Sequence, residues 1–256
     1  MSNIFNDFNL GISQFKQWQF EKSEKTFRKC IENDSRFDPA VFMLGLSQLM
    51  KGKFRNATES FKRFLLLAEK QLTSICISLA RYKLGLSQKL DEQFKDAIIT
   101  MGKGLSSSLI GKRRPYQLVG GRPFAFEEGL VYMELENPDH ALDCFKIAED
   151  LSVLGDFARI EIAQYLNKKK ENERHVFNNS GVEFAVSVGE IGNLVRFYTD
   201  AAVAYHKALC LEQLGRSGEA KHAYSEVRRL NPSYNLIRFD QALIEKINLQ
   251  RGYLND

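Results

Sequence analysis

The pair Leu10-Gly11 returns as Leu44-Gly45, 34 residues later, and each is followed at the same offsets by a small residue, Ser23 or Ala57, and an aromatic one, Phe27 or Phe61. A period of that length holds one helix, a tight turn and a second helix. A lone hairpin of this kind cannot bury its own apolar face, so each must stack on the next. The recurrence restricts the chain to a row of hairpins, which suits a binding surface better than a reaction site.

Length and composition agree. With 256 residues the chain exceeds the usual size of one compact core, so it forms either two domains or one elongated array. The repeats favour the array, a single domain over 1–256. A hydrophobic share of 44%, with 19 Phe and 9 Tyr, supplies core material, whereas 5 Pro and 17 Gly are too few for a disordered chain. The formal charge of +4 aids solubility without demanding a polyanionic partner. Cys30, Cys76, Cys144 and Cys210 stand far apart with no Cys-x-x-Cys pair, which reads as reduced packing residues rather than disulfides or metal ligands. The N-terminus lacks the basic start and apolar run of a secretory signal, and no segment is apolar over a membrane-spanning length. A soluble protein of the cytoplasm or another intracellular space is expected.

Four places in the period carry the register: two small residues, an aromatic one and a small or apolar one. The first unit, about 4–37, fills them with Gly11, Ser23, Phe27 and Cys30, and the second, 38–71, with Gly45, Ala57, Phe61 and Phe64. The third, 78–111, has Gly85, Ala97, Met101 and Gly104, and the fourth, 122–155, has Gly129, Ala141, Phe145 and Ala148. The last clear unit, 201–234, has Ala208, Ala220, Tyr224 and Val227, with Gly215 in the turn and Pro232 near its end. In these residues the chain resembles the tetratricopeptide repeat family, whose unit is a 34-residue helix-turn-helix. The resemblance implies an all-α fold, a right-handed α-α superhelix or solenoid of about five to six hairpins. Residues 235–250, with Leu236, Ile237, Leu243, Ile244 and Ile247 as an apolar stripe, are similar to the terminal helix that caps such arrays.

Segment 156–200 matches the pattern less well and is expected to be a divergent fifth unit, since Ala163 falls 34 residues after Gly129. Its small residue in the second helix is then Ala185, with a longer polar turn between; 182–188 alternates like a strand but is expected to be helical. Asp38-Pro39 and Asn137-Pro138 read as N-caps followed by proline at the first helical position, and Gly120-Gly121 as a break before the fourth unit. Extra residues at 71–77 are expected to lengthen the second helix of unit two, and those at 111–121 to form a loop.

In the family the first helix of each unit lines a concave groove. Carried over position by position, that wall consists of Phe8 and Ile12, then Phe42, Met43 and Leu46, then Tyr82 and Leu86, then Phe126 and Leu130, and last Tyr205 and Leu209. Some relatives hold the carboxyl-terminal tails of chaperones through Lys, Asn and Arg at these places. Here Phe8, Phe42, Tyr82 and Phe126 stand where the first cation of that clamp is needed, so a chaperone tail is not expected. An apolar, aromatic wall suits a partner's amphipathic helix or apolar segment. Aromatic residues at helical spacing also read as core, and the groove could be filled by the chain's own 111–121 loop or its C-terminal helix. Both readings stand at this level.

Two basic clusters, Lys112-Arg113-Arg114 with Arg122 and Lys168-Lys169-Lys170 with Arg174, fall in the expected loops, either as solvated charge or as contacts to an acidic protein, phosphate or RNA. His140, His175, His206 and His222 lack metal-ligand spacing, and Gly102-Lys103-Gly104 is too short for a phosphate loop. No enzyme, metal or cofactor is expected. The sequence therefore points to a non-catalytic protein-protein adaptor or assembly subunit. Alternatives are a structural subunit held by its convex face and loops, and an RNA-associated helical repeat that uses the basic loops.

Overall fold

The structure, a computed structural model, describes residues 4–68, 76–109, 119–154, 194–195 and 197–232. These residues form ten helices: α1 Ile4–Lys16, α2 Phe20–Asn33, α3 Asp38–Met50, α4 Phe54–Ala68, α5 Cys76–Leu90, α6 Phe94–Leu109, α7 Gly121–Glu134, α8 Pro138–Glu149, α9 Asp200–Gln213 and α10 Ser217–Leu230. Among them there is no named strand, only an isolated antiparallel bridge between Val119 and Leu154. The chain divides into two compact units, one containing Met1–Gln93 and the other Phe94–Arg238, with the boundary inside the third expected hairpin.

One backbone device builds every hairpin. The first helix of each ends in a residue with positive φ: Trp18 at 63°, Gly52 at 70°, Glu92 at 59°, Glu136 at 54° and Gly215 at 70°. The next residue's N–H then reaches back five residues, from Gln19 to Gln14, Lys53 to Gln48, Gln93 to Gln88, Asn137 to Tyr132 and Arg216 to Leu211. This is the left-handed helix stop that satisfies terminal carbonyls, and it aims the chain into the second helix.

In the first unit α1 packs on α2, α2 on α3, α3 on α4 and α4 on α5. Within a hairpin the glycine of the first helix lies under the aromatic ring of the second. A Cβ on Gly11 would come within 2.6 Å of Phe27, and one on Gly45 within 2.8 Å of Phe61. Polar ties accompany this contact: Thr26 donates to Gln14 at 2.8 Å, and Ser60 lies 2.7 Å from the Gln48 amide. Between hairpins, Ser23 and Ser47 share a buried hydrogen bond of 2.9 Å, and Thr58 donates to Ser87 at 3.0 Å. Ser47 and Ser87 also donate to the Met43 and Leu84 carbonyls, so these hydroxyls are buried with partners.

In the second unit α6 packs on α7, α7 on α8, α8 on α9 and α9 on α10. Gly129 lies under Phe145 as Gly11 lies under Phe27, and Gly104 leaves room for Phe124 of the next hairpin. The chain enters and leaves the α7–α8 hairpin side by side. The Gly120 N–H donates to Val153 and the Arg122 N–H to Ser152, both at 3.0 Å. A side chain at Gly120 would meet the Ser152 carbonyl at 2.2 Å, so the glycine permits this crossing.

α9 packs on α8 as the first helix of the next hairpin packs elsewhere, and residues 155–193 of the expected divergent fifth unit lie outside the described residues. Two expectations need correction. Of the extra residues before the third hairpin, Cys76 and Ile77 belong to α5 and not to α4, and 69–75 lie outside the described residues. Asp38 is the first residue of α3 and Phe37 occupies its N-cap without a side-chain bond. Asn137 does cap α8, accepting from the His140 N–H at 3.3 Å. The expected 111–118 loop segment and the 235–250 terminal helix also lie outside the described residues.

Candidate functional site

The eleven expected groove residues are not all on a surface. Phe8, Ile12, Phe42, Met43, Leu46, Tyr82, Leu86, Phe126 and Leu130 are buried. Phe8 packs on Phe27 and Phe37, Phe42 on Phe61 and Phe64, and Phe126 on Phe145, Tyr198 and His206, with ring centroids 4.9–5.9 Å apart. Phe8, Phe42 and Phe126 therefore take part in hairpin packing, the core reading that the sequence also allowed at those positions. Helical spacing cannot separate the two readings, since groove and core lie on adjoining faces of the same helix. Tyr205 and Leu209, on α9, are the two that remain half-exposed.

Lys112, Arg113, Arg114, Lys168, Lys169 and Lys170 lie outside the described residues. Arg122, grouped with the first cluster by sequence, is a structural tie. Its Nε donates to the Ala148 and Leu151 carbonyls at 2.9 and 2.8 Å, and its terminal nitrogens reach Glu149 O at 3.0 Å, Tyr198 O at 3.4 Å and Asp200 Oδ1 at 2.5 Å. One guanidinium thus caps the C-terminus of α8 and binds the carboxylate that opens α9, where both helix dipoles favour the charges present. Beside it, Tyr198 donates to the buried Glu127 at 2.5 Å, and Lys207 pairs with Glu149 at 2.5 Å. His206 is buried against Phe126 and Phe145, with Nδ1 2.8 Å from the Ala202 carbonyl.

Cys30, Cys144 and Cys210 are buried free thiols. Burial pushes them up to about 11, 12 and 12, so they stay protonated and unreactive near neutral pH. No group of three or more His, Cys, Asp or Glu among the described residues is arranged to hold a metal. No helix of the described residues is long and apolar enough to cross a membrane.

What the described surface does offer is an open depression of about 580 Å³ on the last hairpin, lined by Tyr205 from α9, by Lys221, Tyr224, Ser225, Val227 and Arg228 from α10, and by Asn231 and Pro232. Val227 packs with Ala201 and Ala204 beneath Tyr205, and the Tyr205 and Tyr224 rings lie 6.0 Å apart. The Tyr224 hydroxyl donates to Glu212 at 2.9 Å. Burial first, and then that carboxylate, push the phenol up to about 12, so it remains a donor. The sequence reading included Tyr205 but missed Lys221 and Arg228. Their signal was available: they occupy helix positions that hold Thr58 and Leu65 in α4 and Leu142 and Glu149 in α8.

A family model of the tetratricopeptide repeat matches residues 201–234, the hairpin that carries this depression. No curated protein sequence matches the chain. Among solved structures, a MamA structure from Desulfovibrio magneticus is 11% identical, with a TM-score of 0.60 over 92% of this chain and 98% of that one. A second crystal structure of MamA is 15% identical, with a TM-score of 0.59 over 91% and 97% of the two chains. At such identities the likeness carries the fold alone, and that fold is an all-α helical-repeat solenoid.

Proposed function

We propose that this chain, a helical-repeat protein of the tetratricopeptide type, is a non-catalytic adaptor or assembly subunit that holds a helix or apolar segment of another protein. The observation that carries this reading is the repetition of one hairpin design among the described residues, with a left-handed stop in all five hairpins and a glycine under an aromatic ring in three of them. A surface built from such units is ordered before a partner arrives, so little conformational entropy is lost on the adaptor's side when it binds. The proposed contact is the exposed part of the last hairpin around Tyr205 and Tyr224, not the buried rings of the earlier ones.

The RNA-associated alternative draws no support from Arg122, whose guanidinium already serves three carbonyls at the end of α8 and the Asp200 carboxylate. The test is affinity capture of the tagged full chain from its native cells, with cross-linking mass spectrometry on what is retained. Stoichiometric retention of one or a few proteins, cross-linked near α9 and α10, is the expected outcome. Retention of nothing, or of ribonuclease-sensitive material alone, contradicts the proposal.

A further inference from the structure

We infer that the exposed face of α10 docks an acidic segment with an apolar anchor from a partner protein, a refinement that rests on the interaction reading above. Lys221, Tyr224 and Arg228 stand at i, i+3 and i+7, so they form a single stripe of α10 in the order cation, ring, cation. At a rise of 1.5 Å per residue the two cations are separated by about 10 Å along the helix. Between them lies the floor of Tyr224, Val227 and Tyr205.

The nearby carboxylates are already engaged. Arg216 holds Glu219 at 2.7 Å, Arg229 holds Glu226 at 2.8 Å, and Glu212 accepts from Tyr224. Among the described residues neither Lys221 nor Arg228 has an ion pair, so the rim of the depression is cationic. In α2, α4 and α8 the same two helix positions hold Glu24 and Ile31, Thr58 and Leu65, and Leu142 and Glu149, and another hairpin packs over each of those helices. Only in α10, among these four, are both positions basic.

A wholly apolar occupant would strip water from two cations without replacing it. A segment with Asp or Glu on either side of a buried aliphatic or aromatic residue pairs with both cations and fills the floor. Such charge-assisted contacts around a central apolar anchor are the usual way a small interface gains specificity.

Selection of a random dodecapeptide phage library on the immobilised full chain tests this. The expected winners carry an aromatic or aliphatic residue flanked by acidic ones. The affinity of a synthetic winner is expected to fall at least tenfold on the double substitution Lys221→Glu, Arg228→Glu, and again when its own acids are changed to amides. The denaturation midpoint should stay put, because both substituted side chains are exposed. No enrichment, winners without acidic residues, or an affinity indifferent to the charge reversal each overturn the inference. If the reversed variant still retains the native chain's partners in the capture experiment, this site is wrong while the adaptor reading stands. If the native chain retains none, the adaptor reading itself is lost.

Discussion

At the scale of single residues, each hairpin depends on one position in the left-handed region, and the chain fills it unevenly. Gly52 and Gly215 adopt that conformation freely, whereas Trp18, Glu92 and Glu136 carry a Cβ there. For an L residue this costs about 1 kcal/mol. Glu136→Gly is therefore expected to raise stability by roughly 0.5–1 kcal/mol, the backbone relief exceeding the flexibility that glycine adds to the unfolded chain. An unchanged or lower midpoint in urea would show that Glu136 makes a compensating contact. The reverse applies to Gly129, where a Cβ would lie 2.8 Å from the Phe145 ring. Gly129→Ala should cost about 1–3 kcal/mol by overpacking. A cost below 0.5 kcal/mol, again by urea denaturation, would mean that the ring moves aside freely. The glycine was legible as a period, but the left-handed stop was not, because Trp and Glu at that position carry no local signal for it. The pairs Gln14–Thr26 and Gln48–Ser60 were visible as a shared offset and become meaningful only once the helices are seen to face each other.

At the scale of elements, helices of neighbouring hairpins are joined by charge as well as by packing. Glu24 of α2 has a side chain 6% exposed and is bound by Arg28 at 2.8 Å, Lys51 at 2.6 Å and Lys53 at 3.3 Å. Burial pushes its carboxyl up, but hydrogen bonds from Lys51 and Arg28 outweigh it and bring it down to about 2. A folded value below the unfolded one means that the contribution to stability is complete above about pH 4.5. It is then lost as the pH falls through the folded value of about 2. Glu24→Gln should accordingly lower stability by about 2 kcal/mol at pH 7 and flatten the loss between pH 4.5 and 2. Parallel acid limbs for the two proteins in urea denaturation would refute this role. The α8–α9 junction is held in the same manner by Arg122. Arg122→Lys keeps the charge but cannot span three carbonyls and a carboxylate, so it should speed amide exchange at the start of α9 nearly as much as Arg122→Ala. Ala163 falls one period after Gly129, but spacing along the chain does not report which helix is next in space, and here α9 packs on α8.

At the scale of the whole molecule, the pattern of contacts is that of a repeat: in each compact unit a helix packs chiefly on its neighbours in the stack. That regularity is why the all-α class could be read from five sets of recurring residues, and it is also why the period alone does not separate groove from core. A periodic sequence states that rings recur on one side of each first helix; whether that side is open depends on how closely Phe8, Phe42 and Phe126 approach the rings of the second helices, a distance that no period contains. The same nearest-neighbour logic sets how damage should spread. In a quasi-one-dimensional fold, a lesson in packing at one hairpin is felt by the adjoining ones and fades beyond them. Gly45→Ala should therefore raise hydrogen exchange in α1 to α5 while leaving α9 and α10 near their native protection, and Gly129→Ala should raise it in α6 to α9. Because the two glycines share no packing partner, Phe61 serving one and Phe145 the other, the double variant's loss of stability should equal the sum of the single losses within about 0.5 kcal/mol. A coupling energy above about 1 kcal/mol, or loosening of α9 and α10 by Gly45→Ala alone, would reject the nearest-neighbour description. The interaction face on α10 would then have to be treated as responsive to the first unit, not as a fixed surface.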